Sequence, residues 1–340
     1  MTLRRAANLF INQCEYLLRR ETLVSYPGFL KIDPSNRCQL RCPGCGQASD
    51  DFRASLPKKS FLTLDDFKRI VDPLASTTLG ISLDQLGEPL LNKEIVAMLE
   101  HAKALNIGVT IATNLSLPLN EEFLRDLVKS GLDKLMVSLD GASSHTYEQY
   151  RVKGKYELVK TNVQRLASLK RELRSNTPNI LWKFIVFEHN RHEASLVPAL
   201  YKEFGFDSYR IDTDRGHRSV VRSRQSLFAK QQACFWPYST MVLDVDGTVN
   251  PCCSFAETDW QLGNALASDI RLLWNSETYK ALRRGFGRKN YGDFMHPVCR
   301  VCTGGAQELV KMMHDPLPSN PQKLVKIMPN QLPGNLQTDR

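Results

Sequence analysis

Seven of the nine cysteines in this 340-residue chain fall into two groups whose spacing suits metal binding. The first group is Cys38, Cys42 and Cys45, a C-x3-C-x2-C pattern on a glycine-containing loop. Three thiolates cannot supply the four ligands of a closed structural zinc site. On a [4Fe–4S] cluster they would leave one iron open to a ligand from outside the protein. The spacing therefore predicts an open iron–sulfur cluster, or else a zinc site completed by a distant His or Cys.

The second group is Cys234, Cys252, Cys299 and Cys302. An Asp-Gly pair at residues 246–247 precedes Cys252 and signals a β-hairpin turn. A hairpin and a distant C-x2-C pair can close four thiolates around one metal centre, as zinc ribbons do. The spacing predicts a closed four-cysteine site and leaves zinc and iron–sulfur open.

Short apolar runs alternate with helical patterns from residue 29 to residue 212. Six such units predict an open parallel sheet or a partial barrel with helices outside. The predicted strands are Phe29–Asp33, Leu79–Leu83, Val109–Thr113, Lys134–Leu139, Ile180–Phe187 and Ser208–Ile211. The predicted helices between them lie near residues 65–75, 92–105, 121–130, 156–174 and 192–204. The first cysteine group directly follows the first strand, at the barrel face where active sites lie.

An amphipathic helix is predicted before the first strand, at residues 3–20. Its larger apolar side chains fall roughly on one side, and arginines stand at both ends. We expect the helix to pack across the body, with a membrane-surface role as the alternative. The apolar residues are Leu9, Phe10, Tyr16, Leu17 and Leu18.

The pattern changes near residue 212. Residues 213–232 are basic and lack periodicity, which suggests a solvated linker or the entry for an anionic substrate. Thr240–Val245 and Thr248–Asn250 then read as the two strands of the hairpin, and a helix is predicted near residues 268–284. From about residue 315 the chain is rich in Pro, Asn and Gln, which suggests a loosely packed tail.

Composition excludes several classes of protein. Hydrophobic residues make up 42% and charged residues 24%, so the chain is neither fibrous nor disordered throughout. There is no run of 18 apolar residues, so no membrane span is expected. A chain of this size needs no disulfide scaffold, and no signal peptide is recognised, so we expect a cytoplasmic protein. The net charge is +9, but the basic residues are scattered, so a nucleic-acid partner is not expected.

The segment from Lys31 to Cys45, KIDPSNRCQLRCPGC, resembles the signature of radical S-adenosylmethionine (SAM) enzymes. The resemblance implies a partial (β/α)6 barrel, in agreement with the six units above. It also implies that the open iron binds the amino and carboxylate groups of the methionyl moiety. The reduced cluster then cleaves the carbon–sulfur bond, and the 5′-deoxyadenosyl radical removes a hydrogen atom from the substrate.

The same resemblance implies five cofactor-binding residues, all at the carboxyl ends of predicted strands. Glu88, in Gly87-Glu88-Pro89, matches the segment that contacts the methionyl amino group, although Leu86 replaces the family's first glycine. Arg151 matches a position that often meets the methionyl carboxylate. The full set is Glu88, Asn114, Ser138, Arg151 and Asn190.

The segment from Cys234 to Cys302 resembles the short form of the SPASM extension, called a twitch domain. The resemblance implies one auxiliary [4Fe–4S] cluster on Cys234, Cys252, Cys299 and Cys302. Neighbouring side chains of a strand point to opposite faces, so Cys253 is not expected to bind the same cluster. It is either a small buried residue or a thiol that donates hydrogen to the substrate.

These features predict an α/β fold, a partial (β/α)6 barrel of the TIM type with a small C-terminal domain of a β-hairpin and a helix. The predicted boundaries are 1–28 for the N-terminal helix, 29–212 for the barrel, 213–233 for the basic linker, 234–314 for the auxiliary-cluster domain and 315–340 for the tail.

The predicted function is hydrogen abstraction from a polar small molecule such as a sugar, cyclitol or nucleotide, leading to oxidation or epimerisation. An anionic substrate would suit the basic segment at residues 213–232 if that segment lines the entry. The reductant would be an external one-electron donor such as flavodoxin or ferredoxin. The alternatives are a peptide-modifying maturase of the same superfamily and a non-enzymatic iron–sulfur or zinc scaffold.

Overall fold

The computed structural model describes residues 2–213, 234–253 and 260–287. Nine strands are present in these ranges: β1 Phe29–Ile32, β2 Gly80–Leu83, β3 Gly108–Thr113, β4 Lys134–Ser138, β5 Asn179–Val186, β6 Ser208–Thr213, β7 Thr240–Leu243, β8 Thr248–Asn250 and β9 Gly263–Asn264. The α-helices there are α1 Leu3–Leu17, α2 Asp50–Ser55, α3 Leu64–Val71, α4 Ile95–Ala104, α5 Glu121–Lys129, α6 Ser144–Tyr150, α7 Tyr156–Glu172, α8 Val197–Phe204, α9 Trp236–Ser239, α10 Ile270–Leu273 and α11 Glu277–Gly287.

The strands form one sheet in the order β6-β5-β4-β3-β2-β1-β7-β8-β9. Strands β1 to β6 are parallel neighbours, and at least one helix connects each to the next. This is the predicted partial (β/α)6 barrel, and each of its six strands begins and ends within two residues of the predicted bounds. The agreement follows from the apolar period of each segment, which sets its secondary structure locally.

The C-terminal hairpin continues the barrel sheet. Strand β7 pairs in parallel with β1, from Phe29 opposite Thr240 to Ile32 opposite Leu243. Strands β8 and β9 then add in antiparallel order. Gly247 makes the predicted hairpin turn with a φ of +83°, a conformation that glycine adopts without strain. The hydrogen bonds of the sheet therefore run from the predicted barrel into the predicted auxiliary domain. The predicted linker lies outside the described residues at positions 214–233.

The sheet has two different faces. On β5 the side chains of Ile180, Trp182, Phe184 and Val186 are buried, whereas the alternating positions stay partly accessible. Side chains alternate between faces along a strand, so the buried set packs beneath the helices. The partly accessible set lines the inside of the barrel, where a substrate cavity would lie.

The N-terminal helix packs on the body through its polar side. Arg5, Asn8, Asn12 and Glu15 are buried, whereas Leu3, Phe10 and Leu17 are exposed. The helix lies against the body as expected, and the structure adds that the buried side is the polar one. The reason is that its polar side chains bond to backbone groups of the body, which an apolar stripe could not do. No helix in the described parts of the chain is long and apolar enough to cross a membrane.

Candidate radical-cluster and cofactor site

The first cysteine group lies on the loop between β1 and α2. Cys42 is buried and Cys45 is exposed, and the amide of Cys45 donates to the carbonyl of Cys42 at 2.9 Å in a tight turn. The buried amide of Gln47 braces this loop, because its Nε2 donates to the carbonyls of Asn36 at 2.9 Å and Leu86 at 3.2 Å. Across residues 2–213, 234–253 and 260–287, no three His, Cys, Asp or Glu side chains are arranged to hold a single metal ion.

The chemistry of the three thiols suits a cationic cluster. Burial raises the pKa of the Cys38 thiol to about 12, and Cys42 and Cys45 add to the rise. Burial likewise raises the pKa of Cys42. Thiolates are the metal-binding form, so the positive charge of a metal centre is needed to hold them there. Two N–H donors approach the sulfurs: Asn114 Nδ2 lies 3.7 Å from Cys38 Sγ, and Arg151 Nη1 lies 3.9 Å from Cys42 Sγ. Such donors favour metal-bound sulfur, so the loop fits the predicted three-thiolate cluster.

Glycine at position 87 is required by the close approach of two loops. A Cβ on Gly87 would lie 1.9 Å from the carbonyl oxygen of Ser35. The next amide, of Glu88, donates to the carbonyl of Arg37 at 2.7 Å. The loop after β2 is therefore fixed against the segment that leads into the cysteines. Leu86 has no left-handed backbone conformation, so its departure from glycine is compatible with the turn.

The buried carboxylate of Glu88 joins the ends of β2 and β3. Its oxygens accept hydrogen bonds from the amide of Leu90 at 3.1 Å, the hydroxyl of Thr113 at 2.5 Å and the amide of Asn114 at 2.8 Å. Burial raises the pKa of Glu88, and these hydrogen bonds oppose the rise. The carboxylate is thus held in one orientation beside the cluster loop.

Asn114 links this carboxylate to the cysteines. Its Oδ1 accepts from Gln39 Nε2 at 2.8 Å and from the amide of Ser116 at 2.9 Å, while its Nδ2 faces Cys38. Sequence reasoning missed Gln39. Its place directly after the first cysteine was the available signal.

Arg151 is held by the carboxylate of Asp140, a partner that sequence reasoning did not identify. Asp140 is fully buried and accepts from Arg151 Nε at 2.8 Å and also from Nη2. The other oxygen of Asp140 accepts from the amide of Ile185 at 2.8 Å, which ties the pair to β5. Burial alone would lower the pKa of Arg151, but Asp140, with Cys42 and Tyr147, raises it above the ordinary value. The guanidinium is therefore a fixed positive charge next to the cluster loop.

Two more predicted residues lie at this edge with different surroundings. The amide of Asn190 is fully buried and bonds to backbone groups of Asp140, Ile185 and Phe187 at 2.7–3.0 Å. It therefore positions the turn that carries Asp140. Ser138 ends β4, is half-buried, and pairs in register with Lys183 on β5.

The second cysteine group is described only in part. Cys234 lies two residues before α9, and Cys252 and Cys253 follow β8; all three are half-buried. Cys299 and Cys302 lie outside the described residues. Burial lowers the pKa of Lys31 on β1, and the Cys253 thiol is the largest opposing influence. Cys253 therefore lies within electrostatic reach of a lysine on the inner face of the barrel.

Two protein-family models match the chain. The radical SAM superfamily model covers residues 32–181, and the SPASM model, an iron–sulfur cluster-binding domain, covers residues 234–303. The AdoMet-dependent heme synthase of Methanosarcina barkeri is 29% identical over 202 residues, which are 58% of this chain and 54% of that protein. The chain thus matches about half the length of this curated relative.

Two solved structures share the fold. Streptococcus suis SuiB bound to its precursor peptide SuiA has a TM-score of 0.63 at 17% identity, over 91% of this chain and 79% of that chain. BtrN in complex with AdoMet and 2-DOIA has a TM-score of 0.53 at 16% identity, over 82% of this chain and 94% of that chain.

The partial barrel and its three-thiol loop at the end of β1 define a class of iron–sulfur protein built around one open cluster. This chain belongs to the radical SAM superfamily and carries a SPASM iron–sulfur domain. Its cofactors are accordingly a [4Fe–4S] cluster, S-adenosylmethionine and auxiliary iron–sulfur.

Proposed function

We propose that this protein removes a hydrogen atom from a polar, anionic small molecule bound inside the barrel, leading to epimerisation or oxidation. When bound, the reduced cluster supplies the electron that cleaves S-adenosylmethionine to a 5′-deoxyadenosyl radical. A radical SAM enzyme needs an electron donor, and flavodoxin or ferredoxin in the cytoplasm is our proposal for it.

The residues of the strand ends would orient the cofactor. Arg151, fixed by Asp140, and the hydroxyl of Ser138 are proposed to bind the methionyl carboxylate. Glu88 is proposed to accept from the methionyl amino group, since a rigid anion suits an ammonium. Asn114 would fix the position of Glu88 relative to the cluster sulfur of Cys38, because it contacts both.

The inner face of the barrel is polar, which favours a polar substrate. Lys31 and Asp84 form an ion pair there, and Ser82 Oγ donates to Asp84 Oδ2 at 2.9 Å. Ser82 pairs with Thr110 on the next strand, whose hydroxyl lies 3.4 Å from that of Ser82. A lining of hydroxyls and charges would bind a substrate rich in hydroxyl groups or charge.

A buried cation without a hydrogen bond or ion pair favours an anionic group on that substrate. Lys183 stands beside Arg210 of β6 in register, and Arg210 is already paired with Asp212 at 2.8 Å. In the part of the chain that the structure describes, the Lys183 ammonium has no hydrogen bond or ion pair. Burial lowers its pKa and Arg210 lowers it further, and the charges of Asp212 and Asp140 only partly oppose them. A carboxylate or phosphate would relieve both effects.

The position of Cys253 is the observation that carries the epimerisation arm. Its thiol opposes the lowering of the pKa of Lys31, a residue of the inner barrel face, and we propose that it donates a hydrogen atom to the substrate radical from this side. A substrate radical that takes this hydrogen on the opposite face would invert its carbon centre and leave a thiyl radical on Cys253, which an electron from the external donor and a proton from solvent would return to the thiol. A radical that instead passes an electron to the auxiliary cluster and a proton to solvent would become a product oxidised by two electrons relative to the substrate, with the cluster reduced by one electron.

The test uses anaerobic, reduced holoprotein with S-adenosylmethionine and the low-molecular-mass fraction of a cell extract. We expect this fraction to stimulate 5′-deoxyadenosine formation, both before and after digestion with a protease. Removal of anions on an exchange resin should abolish the stimulation. Loss of stimulation after the protease would instead favour the second candidate, a peptide substrate, which the structure of SuiB with SuiA brings forward.

Deuterated water separates the two outcomes once the stimulating compound is isolated. A thiol exchanges with solvent, so epimerisation through Cys253 places one deuterium in the product. Oxidation places none. Cys253→Ala should keep 5′-deoxyadenosine formation and lose the deuterated product. An unchanged product would contradict epimerisation through Cys253.

A further inference from the structure

Helix α1 presents an apolar stripe away from the body. We call the exposed side chains of Leu3, Phe10, Leu17 and Leu18 the α1 stripe, and their exposed fractions are 88%, 71%, 66% and 71%. Leu3, Phe10 and Leu17 recur every seven residues, so they share one side of the helix. Val24, 78% exposed, follows shortly after the helix. The stripe is a row of large apolar side chains, and several such side chains exposed on one side of a helix mark an interaction site.

The opposite side of α1 is bonded so that the stripe cannot turn inward. The guanidinium of Arg5 donates to the carbonyls of Ala75 at 2.8 Å and Leu105 at 2.7 Å. Asn8 makes two hydrogen bonds of 2.9 Å with the backbone of Tyr26. Rotation of the helix about its axis would break all of these bonds, and apolar side chains would give the freed carbonyls no donor in exchange. The outward direction of the stripe is therefore part of the fold.

The exposed charges at the two ends of the stripe are positive. Arg4 and Arg20 are exposed there. The only acidic residue of α1 is Glu15, which is buried and accepts from the amide of Val24 at 2.6 Å. Glu21, which follows Arg20, is paired with Arg284 at 2.9 Å. The exposed side of the helix therefore carries apolar and neutral polar side chains between two cationic ends.

This charge pattern decides between possible occupants. A second copy packed antiparallel on the stripe would place Arg4 against Arg20, and a parallel copy would place Arg4 against Arg4, with no acid of α1 between them. An anionic bilayer instead offers acyl chains to the stripe and negative headgroups to both arginines.

We propose that α1 binds the surface of an anionic lipid bilayer, lying in its plane with the α1 stripe at the boundary of the acyl chains. The helix has 15 residues and is therefore about 22 Å long, which suits a helix lying on one leaflet. This inference is independent of the reaction proposed above, because none of its residues lines the barrel.

Sedimentation of the intact holoprotein with vesicles tests the proposal. We expect it to bind vesicles of phosphatidylcholine with about one third phosphatidylglycerol, and not vesicles of phosphatidylcholine alone. The variant Leu3→Gln/Phe10→Gln/Leu17→Gln keeps helix propensity and the buried polar face, and it should lose more than tenfold in binding. The variant Arg4→Gln/Arg20→Gln keeps the stripe, and it should lose roughly tenfold or more on the anionic vesicles.

A reporter on the stripe and a self-association measurement complete the test. In Phe10→Trp, indole emission should shift to the blue on anionic vesicles, because the ring leaves water. Equal sedimentation of the wild type and the triple Gln variant would overturn the proposal. So would a wild-type dimer in sedimentation velocity that the triple variant loses, without vesicle binding, since a second copy would then be the occupant.

Discussion

The ion pair between Asp140 and Arg151 should control S-adenosylmethionine binding from a buried position. In Asp140→Asn the side chain keeps its size and one acceptor oxygen but loses the charge that faces the guanidinium at 2.8 Å. Asp140 is fully buried and the side chain of Arg151 is 15% exposed, so the remaining cation has little water to replace its partner. Breaking a buried pair in this way costs about 3 kcal/mol or more.

Two measurements follow from that figure. With an unfolding entropy of about 2.1 cal/mol/K per residue, a loss of about 3 kcal/mol lowers the Tm of a chain of this length by about 4 °C. A guanidinium released from Asp140 should also weaken S-adenosylmethionine binding by about tenfold or more, measured by equilibrium dialysis of the anaerobic holoprotein. Arg151→Lys should also bind S-adenosylmethionine more weakly than the wild type, since an ammonium lacks the planar fork of a guanidinium.

Glu121→Gln is the matched control. It removes the carboxylate of an exposed ion pair with Arg125 on α5, so it should change neither Tm nor cofactor binding measurably. If Asp140→Asn bound S-adenosylmethionine as tightly as this control, the role assigned to the pair would be wrong.

Further predictions concern the loops, the cavity, the hairpin and the metal content. Gly87→Ala should cause loss of the folded holoprotein. Gly28→Ala should not, because a Cβ there would lie 3.5 Å from its nearest neighbouring atom. Cluster absorbance after anaerobic purification checks both variants. Lys183→Met should abolish the stimulation of 5′-deoxyadenosine formation by the anionic extract fraction and leave S-adenosylmethionine binding unchanged; weaker cofactor binding would place Lys183 in the cofactor site instead. Burial raises the pKa of Asp244 to about 6 against the amide of Asn250. The folded state therefore holds this proton more tightly, so stability falls as the pH rises from about 4 to about 6, and Asp244→Asn should remove that part of the fall in denaturation curves. Anaerobic analysis should find about eight iron and eight sulfide per chain for two cubane clusters, and about four with zinc would contradict the auxiliary cluster.

The barrel, and the residues gathered at the carboxyl ends of its strands, were largely predictable because the sequence patterns that indicate them are local. Each βα unit carries its own apolar period, and the cysteines, Glu88 and Asn114 directly follow strand ends. Parallel strands bring such positions to one edge whatever the details of packing. The structure accordingly places Asn114 beside both Glu88 and Cys38.

Other features depended on partners far away in the chain. The carboxylate of Asp140 gives no sign in the sequence that it holds Arg151, because a turn aspartate is ordinary. The same holds for Lys183, whose importance lies in the partner it lacks within the described residues. The packing face of α1 could not be read from its apolar pattern, because side-chain bonds to backbone carbonyls about 70 to 100 residues away decide it.

Sequence alone thus determined the six barrel strands, the type of barrel and the C-x3-C-x2-C motif after the first strand, since these rest on spacing within short segments. Only the tertiary structure decided that β7 extends the barrel at β1, that Asp140 fixes Arg151, and that the stripe of α1 points outward. Each of these depends on hydrogen bonds or charges between distant segments, and no local pattern encodes which distant group will be the partner.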